Sequence, residues 1–318
     1  MKNIIITGGA GFIGSHLADR LVSDGENVTV IDNLATGRLA FISHLRSRRN
    51  FTFIKADLQD HRKYSPALKG ADAVYHLAAN PDVRAAFADT RVEIDQGVLS
   101  TYHILEACRK ADVPSFVFSS SSAVYGEPKA TPVPEGYGPL LPISLYGASK
   151  LAGEGFVSSY CGTFGMSGLI YRFANIVGSR ATHGVICDFA AKLRRNPETL
   201  EVLGDGRQAK SYLLAEECVD AMVFGARKRL ESNSGKAEVY NVSNRDRISV
   251  ADLAREVISV SRTGAKAVFT GGKRGWPGDV PKVLLDSSKL ARLGWKAKHD
   301  SRTAVKIAAR HAWEETGA

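Results

Sequence analysis

The chain has 318 residues, 44% of them hydrophobic and 24% charged, with a formal net charge of +9. That length supports a full hydrophobic core in one large domain or two, and no apolar run reaches the ~18 residues a membrane span needs. Cys108, Cys161, Cys187 and Cys218 form no CxxC pair and the eight histidines show no ligand spacing, which predicts reduced thiols and no protein-bound metal.

The chain opens with MKNIIITGG, whose apolar part is too short and too soon broken by glycine for a signal peptide, so a cytoplasmic protein is expected. NIIIT (3–7), NVTVID (27–32), FTFIKA (51–56), DAVYHLA (72–78) and SFVFSS (115–120) are short, β-branched and aromatic runs bounded by polar residues or glycine, the signature of strands. Between them SHLADRLVSDG and GVLSTYHILEACRKA repeat apolar residues at helical spacing. Strands interleaved with helices predict a parallel sheet covered on both faces. GLIYRFAN (168–175) and EVYNVS (238–243) read as later strands, and after Asn175 the pattern loosens into glycine-, proline- and charge-rich loops. The expected architecture is an α/β doubly wound parallel sheet of Rossmann type over 1–174, with a smaller C-terminal α/β lobe over 175–318. About 211–243 of that lobe is expected to return to the first domain.

Basic residues cluster at RSRR (46–49), RKR (227–229) and KRGW (273–276). The first two read as solvated surface. No nucleic-acid-binding motif accompanies the charge, so no nucleic-acid partner is expected; a few such cations would suit a ligand carrying several phosphates.

GGAGFIG follows the first strand and opens a helix. Gly9, Gly11 and Gly14 satisfy GxGxxG, and Gly8, Gly11 and Gly14 satisfy GxxGxxG; in this setting the glycines let backbone approach a pyrophosphate at the helix N-terminus. Asp32 ends the second strand, 18 residues after Gly14. A carboxylate there binds an adenine-ribose 2′-hydroxyl and repels a 2′-phosphate, which favours NAD over NADP, with Arg38 close by as a cation that would favour the phosphate. Asp57, at the end of the third strand, is a candidate adenine contact.

YGASK (146–150) sets Tyr146 and Lys150 one helical turn apart. Burial of the phenol raises its pKa, whereas the lysine and an oxidised nicotinamide lower it; if the cations dominate, Tyr146 becomes a general base near neutral pH. SSSSAVYG (119–126) brings hydroxyls to the end of the fifth strand.

TGGAGFIGSH, the DN at 32–33, HLAANPDVR, SSSSAVYG, YGASK and RGWPGDV, in this order, resemble the extended short-chain dehydrogenase/reductase family over nearly the whole chain. The nearest pattern is that of UDP-glucose (UDP-galactose) 4-epimerases, in particular archaeal-type forms with THGVICDF and LEVLGDG. The resemblance implies an isomerase that epimerises a UDP-sugar through a transient 4-keto intermediate with NAD retained, and a homodimer built on helices near 95–110 and 148–163. It implies Ser121, Tyr146 and Lys150 as the catalytic trio. Around the cofactor it places Gly8, Gly11, Phe12, Ile13, Gly14, Asp32, Asn33, Asp57, Leu58, Leu77, Ala78, Ala79, Arg84, Ser119, Tyr146 and Lys150. Around the substrate it places Ser121, Ser122, Tyr146, Asn175, Val185, Lys210, Arg274 and Asp279.

The chain departs from the family at three places: Gly97 stands where an asparagine is usual near the cofactor, Lys210 where arginine is common, and Ala209 where a basic residue is frequent. Three other readings compete. A nucleotide-sugar 4,6-dehydratase needs Asp and Glu directly after the catalytic hydroxyl, where this chain has Ser122 and Ala123. A 4-epimerase of UDP-glucuronate or an N-acetylated sugar is favoured by the small Val283 near a position that a bulky tyrosine fills in some relatives. A non-catalytic NAD-sensing regulator would commonly have lost the Tyr or the Lys.

Overall fold

The computed structural model describes residues 1–83, 85–230, 235–275, 280 and 282–315. Arg84 and Asp279 lie outside the described residues.

Among the described residues the chain groups into two units. The first comprises Met1–Gly126, Pro139–Arg172 and Val219–Tyr240. Its frame is a seven-stranded sheet formed by β1 (Asn3–Thr7), β2 (Asn27–Asp32), β3 (Phe51–Lys55), β4 (Ala73–His76), β5 (Ser115–Ser121), β6 (Ser167–Phe173) and β11 (Ala237–Val242). The spatial order is β11-β6-β5-β4-β1-β2-β3, with β1 to β5 paired in parallel. The central strands β4 to β6 are buried almost throughout, on both faces, which is why they read as unbroken apolar and small-residue runs. The chain winds one way from β1 through β3 and the other way from β4 onward. The reversal lies between β1 and β4, and the loops beyond their carboxyl ends form the crevice where doubly wound folds bind ligands.

Helices cover this sheet: α1 (Phe12–Ser23), the short α2 (Ser65–Leu68) and α3 (Arg91–Glu93), α4 (Ser100–Lys110), α5 (Leu145–Phe164) and, later in the chain, α7 (Ala215–Arg229). A six-residue π-helix over Ile94–Leu99 joins α3 to α4. The core under α4 and α5 gathers Ile5, Val74, Ile104, Phe116, Phe118 and Val157.

The second unit comprises Glu127–Gly138, Phe173–Cys218 and Asn241–Ala318. Here β7 (Asn175–Val177) pairs with β10 (Tyr212–Leu214), β8 (Thr199–Val202) with β13 (Lys266–Phe269), and β9 (Ala209–Lys210) with both β12 (Ile248–Ser249) and β14 (Lys282–Val283). Helices α6 (Val185–Arg195), α8 (Val250–Ser261) and α10 (Ser301–Glu315) enclose a core of Phe189, Leu193, Leu253, Val257 and Val305, and the short α9 (Ser288–Arg292) precedes α10.

Some segments differ from the sequence expectation. The run 168–175 is two strands, broken at Ala174, whose amide donates to Val242 O. Residues 127–138 join the second unit, and the segment that returns to the first is 219–240. Among the described residues no helix is long and apolar enough to cross a membrane.

Candidate active site

The turn between β1 and α1 is tight. Gly8 has φ +70°, and a Cβ there would stand 2.6 Å from the backbone nitrogen of Ala78. A Cβ on Gly14 would stand 2.2 Å from Gly8 O, so only hydrogen fits. Thus the loop lies directly on Leu77–Ala78 beyond β4, and the partly open Ala79 continues that edge. Gly11 is the N-cap of α1, with extended backbone and no side-chain cap. The amides of the first turn, from Phe12 and Ile13 to Gly14, therefore have no capping oxygen from this residue, and an anion can take that place.

At the end of β2, Asp32 is nearly buried and accepts from Ala10 N at 2.9 Å and from Leu34 N at 2.8 Å. Burial raises its pKa and these two amides pull it back. Its carboxylate is thus tied to both flanking loops. Asn33 donates to Asp57 at 2.8 Å, while Asp57 also accepts from Gln59 N. The Leu58 side chain belongs to the core, so it has only backbone to offer at the crevice.

Ser144 caps α5 by accepting from Gly147 N at 3.1 Å. This fixes the start of the helix, so Tyr146 stands in its first turn and Lys150 one turn on. Lys150 is only 5% exposed. Its ammonium donates to Ser119 O at 2.8 Å and lies over the rings of Phe118 and Tyr146. Burial lowers its pKa to about 8, against the raising charges of Glu93 and Glu154. Ser121 ends β5, accepts from Ala123 N at 3.2 Å, and hydrogen-bonds the Tyr146 phenol. Loss of water pushes Tyr146 up to about 12; the Ser121 bond opposes this and Glu93 adds to it. Ser122 begins the short turn Ser122–Tyr125 beside them. Ser119 donates to His76 O, and the buried His76 ring spans Thr7 and Thr101. Burial and the Lys150 charge lower the His76 pKa to about 3, so this ring is neutral.

The first unit thus gathers the glycine turn, Asp32 and the Ser121–Tyr146–Lys150 group along the carboxyl edge of one sheet. These groups fit a dinucleotide with a diphosphate: an uncapped helix N-terminus, a carboxylate at the ribose position and a phenol–lysine pair beyond β5.

Residues 5–308 match the family described as GDP-mannose 4,6 dehydratase. The chain belongs to this family. Among its relatives, the UDP-glucose 4-epimerase of Mycolicibacterium smegmatis is 30% identical over 304 residues, covering 92% of each chain. A solved UDP-galactose 4-epimerase is 40% identical, superimposes with a TM-score of 0.88 and covers 98% of this chain and 99% of its own. The UDP-glucuronic acid 4-epimerase of Bacillus cereus, solved with UDP-glucuronic acid and NAD, is 28% identical with a TM-score of 0.87, covering 98% and 99%.

Of the candidate substrate residues, Ser121, Ser122 and Tyr146 belong to the first unit and Asn175, Val185, Lys210 and Arg274 to the second. Asn175 opens β7 and donates to Ser211 O at 3.1 Å. Val185 is the first residue of α6, whose N-cap Gly184 carries no side-chain cap bond. Lys210 is paired in register with Ile248 on one side and Val283 on the other. Arg274 forms an ion pair with Glu127. Among the described residues no group of histidine, cysteine and carboxylate side chains could hold a metal.

Sequence reasoning overlooked Glu93, Asn80 and Ser149. Glu93 is buried and accepts from Asn80 Nδ2 at 3.0 Å and from Ser149 Oγ at 2.8 Å. Two residues after Arg91, it reads as one more charge on a solvated helix. The available signal was Gly97, four residues on, a glycine in a helical stretch facing the same way.

Proposed function

We propose that this enzyme interconverts UDP-glucose and UDP-galactose by NAD-dependent epimerisation at C4, through a transient 4-keto sugar. The observation that carries the reading is the Ser121–Tyr146–Lys150 group at the end of β5, in the same unit as the uncapped glycine turn and Asp32. The family relatives named as 4-epimerases support it. The turn of Gly8, Gly11 and Gly14 would hold the cofactor diphosphate, Asp32 the adenosine ribose and Asn33 with Asp57 the adenine edge. NAD supplies a reversible hydride acceptor for the sugar C4 and, when oxidised, a positive charge beside the phenol.

Tyr146 would take the proton of the sugar 4-hydroxyl as C4 gives up its hydride, and would return it to the same oxygen once the keto sugar has turned and the opposite face of C4 has taken the hydride back. Ser121 shares its hydroxyl with the phenol and steadies the same oxygen of the sugar. Lys150, held on Ser119 O, stands one turn beyond Tyr146 and favours its phenolate by its charge. Asn175, Lys210 and Arg274 are proposed to bind the nucleotide diphosphate and Val185 to contact the substrate; Lys210 can meet a phosphate but cannot grip it bidentately as arginine would.

Dehydration at C4–C6 is disfavoured although the family's description names it. That reaction needs an acid beside the catalytic hydroxyl, and Ser122 and Ala123 occupy the turn there. A regulator without activity is disfavoured by retention of the whole trio. A second epimerase reading, on UDP-glucuronate or an N-acetylated UDP-sugar, is favoured by Val283, whose small side chain stands in register with Lys210. Exposed Ile94, Tyr102 and Leu145 on the π-helix, α4 and α5 support a homodimer, and the four unpaired thiols accord with the cytoplasm.

The test is to incubate the protein with a panel of UDP- and dTDP-sugars and follow the anomeric NMR signals. UDP-glucose should yield UDP-galactose and the reverse. A 4-keto-6-deoxy product, or no conversion of any nucleotide sugar, would overturn the reading.

A further inference from the structure

Gly97 removes the polar side chain usual at its position, and the structure shows what occupies the space. A Cβ on Gly97 would lie 2.7 Å from Ser149 Cβ and 3.5 Å from Glu93 Oε2. The bare glycine is what allows the first turns of α5 to settle on the π-helix. Ser149 Oγ then reaches Glu93 Oε2 at 2.8 Å and lies 2.9 Å from Tyr146 O. Glu93 Oε1 takes Asn80 Nδ2 at 3.0 Å, and Asn80 in turn donates to Asp82 O. One carboxylate, 3% exposed, thereby ties the loop after β4, the 91–97 segment and the helix that carries Tyr146 and Lys150.

We infer that Glu93 is a positioning residue for the reaction, anchoring the first turns of α5 through Ser149 and placing a negative charge beside Tyr146 and Lys150. This rests on the proposed role of Tyr146 as the base. Among the described residues the carboxylates acting on the pair are Glu93 and Glu154. Glu154, on α5, is held bidentately by Arg172 of β6 and accepts from Ser120 of β5, so its charge is compensated. His76 of β4 is neutral. Asn80 and Ser149 are uncharged. Among the described residues Glu93 is therefore the counter-charge of Lys150 that no arginine or lysine pairs. Burial raises the phenol most, and the field of Glu93 adds to it.

Two variants separate the anchoring from the charge. Glu93→Gln conserves shape and can still accept from Ser149. In NAD-saturated protein, ultraviolet difference titration of the phenolate, with Tyr146→Phe as the blank, should show the Tyr146 midpoint lowered by about one pH unit. The acidic limb of kcat should move to lower pH with it. Ser149→Ala keeps the charge but removes the tie: kcat should fall about tenfold at unchanged KM, with the phenolate midpoint as in the wild type. A Glu93→Gln midpoint equal to that of the wild type would overturn the charge role. A normal kcat in Ser149→Ala would overturn the anchoring role, and this holds even where Glu93→Gln fails to fold. The titration needs no turnover and can be repeated without cofactor. A protein inactive on every nucleotide sugar would therefore sink the functional reading, and with it the anchoring role, while the titration still decides the charge role of Glu93.

Discussion

The Lys150 ammonium donates to Ser119 O at 2.8 Å and stands 5.8 Å from the centre of the Tyr146 ring. The lysine is thus fixed by backbone beyond β5, and its influence on the phenol is through space. Lys150→Met should move the acidic limb of the pH–rate profile upward, because the cation that favours the phenolate is gone. A profile at saturating NAD reads this directly, and a midpoint that stays put would confine Lys150 to cofactor binding.

The same lysine makes stability depend on pH. Its folded-state pKa of about 8 lies below the ordinary 10.5. Between those values the unfolded chain holds a proton that the folded chain has released, so this group's contribution to stability rises with pH across that window. Urea midpoints at about pH 7 and about pH 10 should show wild type gaining on Lys150→Met at the higher pH. An equal gap at both would mean that Lys150 titrates alike in the folded and unfolded chain.

Tyr146→Phe removes one oxygen and should leave thermal stability and NAD affinity close to wild type. Epimerisation should fall by about 10²-fold or more, as for loss of a general base. Near-normal turnover on the preferred sugar would rule Tyr146 out as the base.

Asp32→Ala should weaken NAD binding and narrow the preference for NAD over NADP, since a ribose acceptor and a repulsive charge leave together. Part of the loss will come from the loops it ties through Ala10 N and Leu34 N. Asp32→Asn, which retains an acceptor, should narrow the preference with a smaller loss of NAD affinity. Cofactor titrations against all three proteins decide; an unchanged ratio would reduce Asp32 to a loop tie.

Gly97→Ala forces a methyl against Ser149 Cβ, 2.7 Å away. It should destabilise the protein by about 1–3 kcal/mol. Adding Ser149→Gly opens the space, so denaturant midpoints should show the double variant losing less than the two single losses combined. Strict additivity would mean that the two residues do not press on each other.

Much of this was legible in the sequence because the signals are local. GGAGFIG needs only the strand before it and the helix after it, and YGASK needs only helical periodicity. The strand runs of the first unit stand out because central parallel strands are apolar on both faces. Glu93 was not legible, because its meaning depends on Ser149, 56 residues later, and on a glycine whose absent side chain leaves no mark on a hydropathy pattern. The candidate substrate residues are harder still. Lys210 lies in a two-residue strand whose partners come from residues 248–249 and 282–283, pairings that no local window contains.

The edge of the main sheet is closed by β11, which lies against β6 although more than sixty residues intervene between Phe173 and Ala237. Chains emerge from the ribosome N-terminus first, so β6, buried along its whole length in the finished protein, waits with an unpaired apolar edge while the intervening residues are made. Such an edge recruits other strands. A fragment ending near residue 175 should therefore aggregate on expression, whereas one that also carries 219–240 on a flexible joint should stay in solution.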